Sequence, residues 1–109
     1  MRKTLTLILA LALVFALFGA SSAYADDLIK VGIVNNPPSE SGYREANVND
    51  FQNVFTKENG YDAQFFYSIK NDEQLSAAQQ FITDGVDYLL ISAAETTGWD
   101  KVLADAADQ

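Results

Sequence analysis

The sequence contains no cysteine and no histidine, only two prolines and one tryptophan, and seven basic residues against fifteen acidic ones. Without cysteine there is no disulfide framework, no thiol nucleophile and no lipid attachment at a processed cysteine. Without histidine the common zinc sites and the commonest general base are also excluded. A formal net charge of −8 repels phosphate backbones and anionic headgroups, which argues against nucleic-acid and membrane-surface partners. Glycine-rich phosphate loops and the G-x-S-x-G elbow are missing too. Where a nucleotide-binding fold carries such a loop after its first strand, this chain has Asn35-Asn36-Pro37-Pro38. No cofactor, metal or catalytic residue is therefore expected.

What is present begins with a leader. Arg2 and Lys3 are followed by an apolar run from Leu5 to Phe18, broken only by Thr6, and then by Ala23-Tyr24-Ala25. This is the three-part layout of a secretory signal, with residues 1–25 removed after Ala25. The run falls short of the roughly 20 residues that span a bilayer, so a direct membrane anchor is not expected. The working compartment is then the periplasm or another extracytoplasmic space. An exported protein without disulfides depends on its core, and residues 26–109 are few for an α/β layer with covered edges, so the chain reads as part of something larger.

Strands and helices alternate along residues 26–109, the pattern of βαβ units on a parallel sheet. Leu28–Val34 is a nearly continuous apolar, β-branched run, as in a strand covered on both faces. Val48, Phe51 and Phe55 recur at helical spacing, with Gly60 as the expected stop. Tyr61–Tyr67 reads as a second strand, and Asn71 stands where an N-cap would precede a helix with Leu75, Ala78 and Ile82 on one face and Gly85 at its close. Asp87–Ser92 is the third strand, and Trp99, Val102, Leu103, Ala106 and Ala107 form the stripe of a third helix. The predicted fold class is α/β, in the order β-α-β-α-β-α with right-handed crossovers.

In such sheets a ligand lies beyond the carboxyl ends of the strands, which singles out the loop that starts at Asn35 and the loop after Ser92. The first carries Ser39-Glu40-Ser41-Gly42-Tyr43-Arg44. Sugar hydroxyls both donate and accept, so Glu40 and Arg44 suit them through charge-assisted hydrogen bonds, and Tyr43 suits an apolar ring face. The same residues also fit a plainer role, with Ser41 as an N-cap and Arg44 with Glu40 as a surface pair. In the second loop Thr97 and Asp100 have capping-box spacing, Trp99 fits either stacking or core packing, and Glu95 points either to a cleft or to water.

The segments KVGIV, SESGYR, KENGYD and AAQQFITDGVDYLLISAAETTGWDKVL together resemble type I periplasmic sugar-binding proteins of ABC transporters, in the branch similar to galactofuranose-binding proteins and within the ribose-binding-like superfamily. The resemblance covers residues 28–109. It implies a Rossmann-like lobe, incomplete here, of a two-lobed receptor that traps a monosaccharide by closure and docks on a membrane permease. It places Glu40, Tyr43 and Arg44 at the cleft, with Asn35, Glu95, Thr97 and Trp99 as further ligand-binding candidates. Tyr43 stands where relatives often carry tryptophan, which implies weaker stacking and a different preferred sugar. The hinge, the second lobe and an aspartate-arginine pair after a fourth strand lie outside the sequence, so these residues alone are expected to bind sugar weakly or not at all. The alternatives are a sugar-sensing ectodomain and, on fold analogy, an exported α/β enzyme.

Overall fold

The computed structural model describes residues 27–109; the expected leader and its expected cleavage after Ala25 lie outside them. Three strands form one parallel sheet: β1 (Ile29–Asn35), β2 (Tyr61–Tyr67) and β3 (Tyr88–Ile91), in the spatial order β2-β1-β3. The helices are α1 (Gly42–Val54), α2 (Asn71–Thr83) and α3 (Asp100–Ala107), and a 3-10 turn (Pro38–Glu40) leads into α1. The expected α/β class and element order are therefore present, as an open sheet of the Rossmann-like kind. No helix among the described residues is long and apolar enough to cross a membrane.

β1 is central because both of its edges are paired. Its register runs from Ile29 opposite Tyr61 to Asn35 opposite Tyr67 on one side, and from Val31 opposite Tyr88 to Val34 opposite Ile91 on the other. The strand lies one residue later than its apolar run suggests. Asn35 belongs to it, fully buried, and its carbonyl accepts a hydrogen bond from the Ser68 N–H at 3.0 Å. β3 is shorter at both ends than the expected Asp87–Ser92, although the Asp87 and Ser92 N–H groups still donate to the Lys30 and Val34 carbonyls.

Successive strand residues point to opposite faces, so β1 divides its side chains between two layers. Val34 joins Ala78, Phe81 and Ile82 of α2, Trp99 at the start of α3 and Val102 within it in the main core. Gly32 lies on that same face beneath α2, where a Cβ would stand 2.6 Å from the Phe81 ring, so only glycine lets helix and strand approach this closely. Val31 and Ile33 belong to the other layer, with Val48 of α1 and the edge-on aromatic series Phe51, Phe55 and Tyr61.

Local signals are redistributed at the helix ends. Ser41 caps α1 as its residue type predicts, its Oγ accepting from the Arg44 N–H at 3.1 Å. Gly60 does not end that helix. α1 stops at Val54, whose carbonyl accepts from the Asn59 side chain at 2.9 Å, and Gly60 lies in the turn that enters β2. Asn71 is the first residue of α2 and not its N-cap; its side-chain amide donates instead to the Thr97 carbonyl at 2.9 Å. The Thr97/Asp100 capping box does not form: Trp99 occupies the N-cap position of α3 and makes no side-chain cap. Gly98, at a φ of 85°, turns the chain there into a conformation that a side chain disfavours. α3 also buries a narrower stripe than expected, since Leu103 is 53% exposed and Ala107 is exposed.

Candidate ligand-binding site

Buried polarity is concentrated at one end of the sheet. Asn35, Asn36, Ser68 and Gln74 are the buried polar residues among those described. The first three directly follow or end a strand, and Gln74 reaches that end from the first turn of α2. Buried amides are costly unless bonded, and these are bonded to one another and to the loops after β1 and β3.

Arg44 is the centre of the arrangement. It lies in the first turn of α1, where a cation opposes the helix dipole, so its position is locally unfavourable and needs compensation. Glu40 supplies the charge: Arg44 Nε donates to Glu40 Oε2 at 3.0 Å. Three neutral oxygens supply the rest, as Nη1 donates to Asn35 Oδ1 at 2.8 Å, Ser92 Oγ at 2.9 Å and Asn47 Oδ1 at 3.2 Å. The Arg44 side chain is 14% exposed and that of Glu40 38%, so the pair is enclosed on the arginine side and open to water on the carboxylate side. A guanidinium has five N–H donors in a rigid fork. These bonds engage Nε and Nη1, and Nη2 has no protein partner among the described residues.

Glu40 is itself fixed from two sides. The Arg44 guanidinium, and then the Asn36 amide that donates to Oε1 at 2.9 Å, hold its carboxyl below the ordinary glutamate value. It is therefore a carboxylate at neutral pH and an acceptor only. Tyr43 is 74% exposed, with the Arg44 guanidinium 5.6 Å from its ring centre. Tyr43, Arg44, Asn47 and Ser92 line a cavity of about 290 Å³ whose floor is Val34, Phe51, Leu90 and Ile91.

The second loop is built differently. Glu95, Thr96 and Thr97 are exposed, while Trp99 is 7% exposed, belongs to the main core and donates its indole N–H to the Glu95 carbonyl at 2.9 Å. The structure thus brings Asn35, Glu40, Tyr43 and Arg44 together. Glu95 and Thr97 stand on the neighbouring loop, and Trp99 supports that loop from below. Sequence reasoning missed Asn36, Asn47, Gln74 and Ser92. Asn47 follows Arg44 by one helical turn, and Gln74 is a polar residue four positions before Ala78 on the buried stripe of α2.

A larger cavity of about 820 Å³ lies between β2 and α2, its wall formed by Phe65, Phe66, Ala77 and Phe81 with the polar Gln64, Asp72, Glu73, Ser76 and Gln80 around them. Its lining includes no basic side chain, whereas the smaller cavity has Arg44. Recognition of a polar ligand needs positioned polar groups in a shaped pocket, and the smaller cavity has Arg44, Asn47 and Ser92 held together by hydrogen bonds. Among the described residues no group of three or more aspartate or glutamate side chains is gathered as a metal would require.

No family model matches the chain, and no solved structure matches it. The chain is similar to a fructose import binding protein of Bifidobacterium longum (strain NCC 2705), with 38% identity over 80 residues. The match takes in 72% of this chain and 24% of that protein, so the chain spans about a quarter of the relative's length. That relative is by name a binding protein, and its name gives fructose where the sequence resemblance points to the galactofuranose branch.

Proposed function

We propose that this chain forms the sugar-facing part of the first lobe of an extracytoplasmic solute receptor, which captures a monosaccharide for an ABC transporter and delivers it to a membrane permease. The single observation that carries the reading is the state of Arg44. It is fixed by four protein acceptors, yet it keeps Nη2 available beside an exposed aromatic ring and a cavity of about 290 Å³. Preorganised charge-assisted donors next to an aromatic face are what a polyhydroxylated ring requires. In this reading Arg44 donates to sugar hydroxyls, Glu40 fixes Arg44 and accepts from a hydroxyl, Tyr43 stacks on the ring, and Asn35 holds the guanidinium from beneath. Glu95 and Thr97 close the site from the second loop, with Trp99 as its support.

Fructose is the first sugar to try, because the similar protein is named for its import, followed by galactofuranose-like and ribose-like sugars. Closure of two lobes around the sugar is the expected mechanism. Calorimetric titration of the full-length gene product with D-fructose, D-ribose and D-galactose tests the reading. Saturable binding that Arg44→Ala weakens about ten- to a hundredfold is expected. No binding to any sugar, or binding unchanged in Arg44→Ala, would contradict it.

A further inference from the structure

We propose that Gln74 is the positioning residue of this site, setting the orientation of the Asn36 amide and through it the Glu40–Arg44 pair, so that the loops after β1 and β3 act as one unit. The inference rests on reading the strand ends as a sugar site. Gln74 is fully buried and meets the end of every strand. Its Oε1 accepts from the Ala94 N–H at 2.8 Å, and its Nε2 donates to the Ser68 carbonyl at 2.8 Å and to Asn36 Oδ1 at 2.9 Å.

A side-chain amide can turn over and exchange its donor and acceptor ends, but this one has a single permitted direction. The Ala94 N–H only donates and the Ser68 carbonyl only accepts, so the backbone fixes which end of Gln74 faces Asn36. Asn36 must then present Oδ1 to Gln74 and Nδ2 to Glu40, 2.9 Å away. A reversed Asn36 would set an oxygen against a carboxylate. Donors therefore run in one sense from Ala94 through Gln74 and Asn36 to Glu40, where the Arg44 fork meets the other carboxylate oxygen. A glutamine that merely satisfied buried backbone groups would not govern the state of Glu40.

Two variants separate these roles. Gln74→Glu keeps an acceptor for Ala94 but replaces the donor to Asn36 with oxygen, and Gln74→Met keeps the volume and removes both. In the full-length gene product, NMR titration of the Glu40 carboxyl is expected to show its pKa raised in both variants. D-Fructose affinity is expected to fall about tenfold, the effect of losing one hydrogen bond to a charged group. Adding Gln74→Met to Asn36→Leu is expected to raise the Glu40 pKa no further than Asn36→Leu alone. An unmoved Glu40 pKa in either variant, or shifts that add in the double variant, would overturn the relay. The carboxyl titration needs no ligand, so the Glu40 pattern across these variants, with no sugar binding by the wild-type protein, contradicts the receptor reading and supports the relay.

Discussion

Two loops leave the carboxyl end of the sheet, and they are held by different chemistry. After β1, side chains do the holding: Asn35, Glu40, Arg44 and Asn47 bond to one another, and Ser41 caps the helix that carries two of them. After β3, the backbone does it: the Ala94 N–H donates to Gln74, while the Glu95 and Thr97 carbonyls accept from Trp99 and Asn71. The first loop is thus sensitive to what its side chains are. The second is sensitive to what lies beneath it, and its own Glu95, Thr96 and Thr97 side chains are exposed.

This contrast predicts where substitutions hurt. The largest effect on folding belongs to the support of the second loop. Trp99→Ala removes a buried ring from the main core and should cost about 3–5 kcal/mol in urea unfolding. The largest effect on binding belongs to the first loop. Arg44→Ala should weaken sugar capture by about ten- to a hundredfold in calorimetry, and Arg44→Lys should not restore it, because a lysine lacks the fork that meets Glu40, Asn35 and Ser92 together. Recovery of affinity in Arg44→Lys would mean that charge alone matters.

Acid should act on the first loop through Glu40. Glu40 has a folded pKa lowered by Arg44 and Asn36, so its contribution to stability is fully present above its unfolded value of about 4.5 and is lost as pH falls through the lower folded value. Urea unfolding measured from pH 6 downward should show this component in wild type and not in Glu40→Gln. An identical pH dependence in the two proteins would remove Glu40 from the account. The smallest effect is expected at Thr97→Ala, below about 0.5 kcal/mol, because only the Thr97 carbonyl is used structurally. A loss of about 1 kcal/mol there, the worth of an N-cap, would mean that the side chain does cap α3 and would break the contrast between the loops.

The elements were legible because each is written in its own residues. The run Tyr61–Tyr67 coincides with β2, and the Val34, Ala78, Ile82 and Trp99 core follows from strand and helix periodicity. The departures arise where a residue serves a distant partner instead of its neighbours. Asn71 and Thr97 both carry local capping signals, yet they meet each other across 26 residues, and Gly98 makes the turn that lets them. The candidate site was half legible for the same reason. Glu40, Tyr43 and Arg44 are adjacent in sequence. Ser92 lies 48 residues from Arg44, and Gln74 lies 38 from Asn36, so only the folded sheet reveals their partnership. Gln74 did carry a warning, a polar residue at a core position of its helix, which a buried hydrogen-bond network explains.

The most direct test is a crystal structure of the full-length gene product grown with D-fructose. The account predicts a sugar hydroxyl about 2.7–3.2 Å from Arg44 Nη2, with the ring lying against Tyr43 and the Arg44 bonds to Glu40 and Asn35 unchanged. A sugar bound in the large cavity between β2 and α2, or one that leaves Arg44 untouched, would contradict it.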